Sequence, residues 1–170
     1  MIDLKLSDFM HRVLTTRERV KFPQADPYGH LNSGEYVSLV MGHRVEALKD
    51  QLRCDVGHWA RALKVGYVLR ELQVEFVAPA FVGEFLEVAS WGFRLETDGF
   101  HARFVIVDEG DRAARAFGTM RFVTVNLATG RKVTGPDALP SDADTNLLLA
   151  RPTTAEYLPT VRNVPEAWRT

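Results

Sequence analysis

The sequence has a single cysteine, Cys54, in 170 residues. That excludes an internal disulfide framework and any zinc site built on several thiolates. Five histidines are present (His11, His30, His43, His58 and His101), but none stands in His-x-x-x-His or His-x-x-Glu-His spacing. A helix-borne metal pair is therefore not expected. Charge is nearly balanced, with 21 Lys+Arg against 22 Asp+Glu, which gives no general attraction to nucleic acid or acidic membranes. No apolar run approaches the length of a membrane span, and Asp3, Lys5 and Asp8 break up the apolar start, unlike a signal peptide. There is no glycine-rich phosphate loop and no Gly-x-Ser-x-Gly, which excludes P-loop and α/β-hydrolase readings. The expectation is a cytoplasmic protein with no metal, cofactor, nucleic-acid or membrane partner.

What is present is enough for one enzyme-sized domain. Hydrophobic residues make up 46% and charged residues 25% of the chain, ordinary values for a length that can bury a real core. The most informative stretch is Asp26-Pro27-Tyr28-Gly29-His30-Leu31-Asn32. It leaves a strand-like segment (residues 16–23) and runs into an amphipathic helix expected over about residues 33–52. A carboxylate on a tight turn beside a helix N-terminus can serve as base or nucleophile, and the free amides of the first helical turn can stabilise an oxyanion. Asp-Pro-x-Gly is also an ordinary type I turn, and turn chemistry alone accounts for those four residues.

The residues after the turn suggest a capping box, with Asn32 as N-cap and Glu35 at N3, and a hydrophobic staple between Leu31 and Tyr36. The Ser33 amide would then be the first helical N–H, free to meet negative charge. The helix carries an apolar stripe of Val37, Val40, Met41, Leu48 and Leu52 at helical spacing. Arg44 falls within it, and a charge there is expected to be buried and paired with a carboxylate. A short turn of helix is expected around residues 59–63. Alternating strands follow: Glu71–Phe76 ending at Pro79, then about 84–95, 100–107 and 112–125, with turns at Glu96–Gly99 and Asp108–Asp111. Ala114, Ala116 and Gly118 would let a helix approach the last strand closely. One long helix followed by hairpin-linked antiparallel strands is an α+β pattern. A short N-terminal helix is expected before residue 16. Residues 136–170 read as a proline-rich extension with a short helix at Asn146–Ala150, docked through Tyr157, Leu158 and Trp168.

The turn and helix resemble the opening of a hot-dog-fold acyl-CoA thioesterase of the 4-hydroxybenzoyl-CoA thioesterase type. Tyr36 and Arg44 fall where that family often has an aromatic and an arginine. Pro79-Ala80-Phe81-Val82-Gly83-Glu84-Phe85-Leu86-Glu87-Val88 resembles its segment between second and third strands, and Ala128-Thr129-Gly130-Arg131-Lys132 its loop after the last long strand. The resemblance spans about residues 16–135, between an N-terminal segment (1–15) and the extension. Gln24, Ser33 and Met41 depart from common forms and leave the subfamily open. The spacing of Asp26 and His30 also differs from the Asp/His pair of hot-dog hydratases.

The resemblance implies an antiparallel sheet wrapped round one long central helix, and hydrolysis of an acyl-CoA thioester. Asp26 would be base or nucleophile and the Ser33 amide would polarise the carbonyl. Gly29, His30, Asn32, Tyr36, Trp59 and Leu63 would border the substrate. Arg61, Lys64, Arg131 and Lys132 are candidates for CoA phosphates. The family builds its site across a subunit interface, which implies a homodimer or homotetramer. The competing reading is a non-catalytic acyl-CoA-binding or scaffold protein of the same fold.

Overall fold

A computed structural model describes residues 11–134 and 151–168. Its centre is a five-stranded sheet: β1 (Leu14–Arg19), β2 (Val65–Phe76), β3 (Phe85–Glu96), β4 (Gly99–Asp108) and β5 (Ala114–Asn126). The spatial order is β1-β3-β4-β5-β2, and every neighbouring pair is antiparallel. The 20-residue helix α1 (Ser33–Leu52) lies on one face, and α2 (Val56–Leu63) leads from it into β2. Both helices end on a non-glycine residue in the left-handed region, Arg53 (φ 52°) and Lys64 (φ 56°). The second helix starts at Val56, earlier than the sequence suggests, because Asp55 caps it by accepting from the His58 amide at 2.9 Å.

The α1 stripe has a different phase from the one expected. The fully buried line is Tyr36, Val40, His43 and Ala47, while Val37, Met41, Arg44 and Leu48 are only half-buried. Two adjacent faces of the helix are covered to different extents, so apolar spacing alone favours the wrong one. The buried line joins Val20, Leu31, Leu86, Val88, Phe104, Ile106 and Met120 in the main core. Arg44 also departs from expectation: its Nη1 donates to Ser90 Oγ at 3.2 Å, and its guanidinium lies 5.7 and 5.8 Å from the ring centroids of Phe100 and Phe122. Among the described residues it pairs with no carboxylate.

The small residues of β5 play a different part as well. A β-bulge at Arg115 on β5, opposite Ile106 and Val107 of β4, shifts the β4–β5 register. Ala114 then packs on the outer face and Ala116 on the helix side. A Cβ at Gly118 would fall 2.0 Å from Gln73 O and 2.8 Å from the Phe104 ring. Gly118 makes room for that ring and for β2, not for a helix.

Of the expected N-terminal helix, residues 1–10 lie outside the described residues. His11 has φ 64°, and Arg12 is bridged to Thr153. The segment Asn146–Ala150 likewise lies outside the described residues. Residues 151–168 cross the outer face of the sheet through α3 (Thr154–Tyr157) and two 3-10 turns. Tyr157, Leu158, Val161 and Val164 pack there on Trp91, Val105, Val107 and Phe117. Trp168 meets Trp91 and Phe117 edge-on, with centroids 5.8 and 5.2 Å apart. Among the described residues no helix is long and apolar enough to cross a membrane.

Candidate active site

The loop before α1 is a narrow antiparallel return. Ala25 bridges Leu31, the Asp26 amide donates to His30 O at 2.7 Å, and the Asn32 amide donates to Gln24 O at 2.9 Å. Its tip closes through the Gly29 amide donating to Asp26 O at 3.0 Å. Gly29 has φ +78°, a backbone region that a side chain strains, and this explains glycine at that place. The loop is fixed to the body by the Leu31 amide donating to Ala80 O at 2.8 Å and by the His30–Phe81 bridge.

Asp26 is oriented by this loop. Its Oδ1 accepts from the Tyr28 and His30 amides at 2.9 and 3.0 Å. Among the described residues its second carboxylate oxygen has no partner, and the residue is half-buried. The loop thus fixes the carboxylate through one oxygen. The His30 ring packs edge-on against Phe81 at 5.0 Å between centroids.

At the helix start, Asn32 caps α1 by accepting from the Gly34 amide at 2.9 Å, and the Glu35 amide donates to Asn32 O. The expected capping box is not formed: the Asn32 side chain reaches Gly34 at N2 and not Glu35 at N3, and Glu35 Oε2 accepts from Gln24 Nε2 at 3.2 Å. Gln24 comes from across the return, a partner that local spacing does not reveal. Among the described residues the Ser33 amide meets no acceptor, and it points with the positive end of the helix dipole. Asp26, Gly29, His30, Asn32 and Ser33 are therefore gathered on one short, well-anchored segment. Tyr36 lies one turn inward, 4% exposed, with its hydroxyl accepting from the Ala80 amide at 3.1 Å. Burial raises the Tyr36 pKa above its ordinary value.

Other expected site residues fall elsewhere. Leu63 is exposed at the end of α2, beside the start of β2. The Trp59 side chain lies outside the described residues. Lys64, Arg131 and Lys132 gather round the β2 start and β5 end, where the Leu127 amide donates to Lys64 O and the Asn126 amide to Arg131 O. Phe76, at the other end of β2, touches Tyr36 with centroids 5.2 Å apart. The 12-residue strand separates the two ends by roughly 35 Å. Within one chain those cations are far from Asp26, and Lys132 is already paired with Asp98 at 2.7 Å.

A second polar cluster was not legible in the sequence. His43 Nδ1 lies 2.9 Å from Thr16 Oγ1 and its Nε2 lies 2.8 Å from Ser90 Oγ. A serine at hydrogen-bond distance from a histidine is the geometry of an activated nucleophile. Here His43 is 2% and Ser90 0% exposed, so no substrate reaches them. Burial, helped by the neighbouring Arg44 charge, lowers the His43 pKa to about 3. The neutral ring ties α1 to β1 and β3.

A long helix lying on an antiparallel sheet, with an oriented carboxylate at the helix start, defines a hot-dog fold with a candidate acyl-transfer site. Residues 9–145 match the family model of the Thioesterase-like superfamily, and the chain belongs to that superfamily. The fold is similar to that of a 1,4-dihydroxy-2-naphthoyl-CoA thioesterase from Synechocystis (16% identity, 74% of this chain and 91% of that one, TM-score 0.67). It is also similar to the PA2801 protein of Pseudomonas aeruginosa (21%, 74% and 93%, 0.64) and to a Staphylococcus aureus protein solved in complex with CoA (12%, 92% and 92%, 0.68). No curated protein matches the sequence.

Proposed function

We propose that the protein hydrolyses an acyl-CoA thioester to the free acid and CoA. The observation that carries this reading is the pairing of Asp26, held by two amides through one oxygen, with the unbonded Ser33 amide on the segment that follows. Membership of the superfamily supports the reaction class, and the CoA complex of the Staphylococcus aureus neighbour supports CoA as the carrier. The thioester oxygen takes the Ser33 N–H, where helix dipole and hydrogen bond favour developing negative charge. Asp26 removes a proton from water, and the hydroxide adds to the carbonyl carbon. The tetrahedral intermediate then collapses with cleavage of the C–S bond, and the CoA thiolate takes up the proton. The same carboxylate placed against the carbonyl carbon would instead form a mixed anhydride that water opens. A single turnover in 18O-water detects the anhydride where water opens it at Asp26 Cγ: label then enters the Asp26 side chain, which general-base hydrolysis never labels.

Incubation with a panel of acyl-CoAs and a thiol reagent tests the activity. Release of CoA from at least one of them is expected, and a folded protein that releases none would overturn it. One observation favours a second reading, a non-catalytic acyl-CoA-binding or scaffold protein. The Asp26 Oδ1 contacts also account for the loop's shape without any chemistry. Binding of acyl-CoA without turnover would establish that reading.

A further inference from the structure

Resting on the acyl-thioester reading, we propose that Arg44 selects acyl groups carrying a carboxylate at the end distant from the thioester. Arg44 sits 11 positions beyond Ser33 on the same helix, about 16 Å along its axis. An extended eight-carbon acyl chain with a hydrogen bond at each end covers that span. The seam between these two points is apolar and incompletely covered. Tyr36 and Phe76 meet at the Ser33 end, and Met41, Leu69, Leu72 and Val74 follow, each only partly buried against the core. The seam ends at Arg44, with Phe100 and Phe122 stacked at 5.0 Å between centroids below its guanidinium.

An arginine at the end of an apolar seam is a costly placement unless an anion meets it. Burial lowers the Arg44 pKa to about 10, which still leaves it charged at neutral pH. Ser90 Oγ is its one hydrogen-bond partner among the described residues, and it pairs there with no carboxylate. A guanidinium offers five N–H donors in a planar fork, so donors remain for a two-pronged carboxylate contact. A methyl-ended chain of the same length would leave those donors unmet.

The test compares suberyl-CoA with octanoyl-CoA, and the non-hydrolysable thioether analogues of both, on the full-length protein. The expected result is tighter calorimetric binding of the carboxylate-ended analogue by about 10–100-fold, the usual worth of hydrogen bonds to a charged partner. Arg44→Leu and Arg44→Gln should each erase that preference, and the hydrolysis ratio of suberyl- to octanoyl-CoA should fall in step. Equal binding of the two analogues, or a preference that survives both substitutions, overturns the proposal. So does a preference unaltered while Arg44→Leu dissociates an oligomer, since the cation then serves a contact between copies. Binding preference with no hydrolysis of either thioester upholds the role of Arg44 and defeats the hydrolase reading. Hydrolysis of both with no preference does the reverse.

Discussion

In the proposed mechanism Asp26 has two separable jobs, and a single isosteric change divides them. Asparagine keeps a carbonyl oxygen able to accept from the Tyr28 and His30 amides, so Asp26→Asn preserves the loop. It cannot act as base or nucleophile. Turnover of the best acyl-CoA should drop by at least ~100-fold, the scale of losing a catalytic base. Parent-level turnover in a folded Asp26→Asn protein would remove Asp26 from the mechanism. In the same mechanism the Ser33 contribution is a main-chain donor, which survives side-chain loss. Ser33→Ala should stay within a few-fold of the parent, whereas Ser33→Pro keeps a conformation tolerated at the first helical position but deletes the N–H. Loss of one oxyanion donor typically costs about 10²–10³ in rate. If Ser33→Pro retains its helix by circular dichroism and hydrolyses at the parent rate, the carbonyl oxygen is held elsewhere.

The seam between α1 and the sheet shows where sequence patterns lose their grip. The helix, its Asn32 cap and the hairpin turns at Glu96–Gly99 and Asp108–Asp111 follow from local residue chemistry, and the structure has them where spacing puts them. The partner of Glu35, the phase of the α1 stripe and the environment of Arg44 depend on residues distant in the chain. Gln24, Ser90 and Phe122 cannot be assigned to them from periodicity. His43 is the clearest case. Spacing removes it from any helical metal pair and says nothing of its partners, whereas Thr16 and Ser90 satisfy both ring nitrogens inside the core. Its consequence is a pH dependence of stability. The folded pKa, about 3, lies below the unfolded value of about 6.5, so the unfolded chain binds the proton more tightly. This term is fully present above the unfolded pKa and is lost as pH falls from about 6.5 towards 3, at up to about 1.4 kcal/mol per pH unit. Denaturant melts at several pH values should show His43→Gln, which does not titrate, with a shallower acid slope than the parent. Identical slopes would mean that His43 is protonated in the fold or contributes nothing to the linkage.

At the scale of the whole molecule, the outer face of the sheet and the β2 edge are finished differently, and the difference says where a contact between subunits is to be expected. The outer face is covered by the chain itself through Tyr157, Leu158, Val161, Val164 and Trp168, and Tyr157 Oη is pinned by donating to Glu87 Oε1 at 2.6 Å. Burying a large apolar side chain contributes about 1.5–3 kcal/mol, so this segment is worth a sizeable part of a typical domain's 5–15 kcal/mol. The β2 edge and the Asp26 end are unfinished. Along β2, one edge pairs with β5 and the other pairs with no strand among the described residues. Near the Asp26 loop, Phe22 and Tyr28 are both 82% exposed, and Phe76, Phe81 and Phe85 are also exposed. A bare long edge beside a large apolar patch calls for a partner. A homo-oligomer joined through the β2 edge and the Asp26 end is therefore expected, with light scattering reporting at least a dimer at micromolar concentration. Phe76→Glu should shift it towards monomer and lower hydrolysis in parallel, because the patch borders the loop that carries Asp26. Removing residues 151–170 should act differently: it bares Trp91, Val105 and Phe117 and produces aggregation or a marked loss of melting temperature, not a tidy monomer. A parent protein that scatters as a monomer, or a truncated one that stays as stable and as soluble as the parent, would show that the chain's own C-terminal cover and the β2 edge have been given the wrong roles.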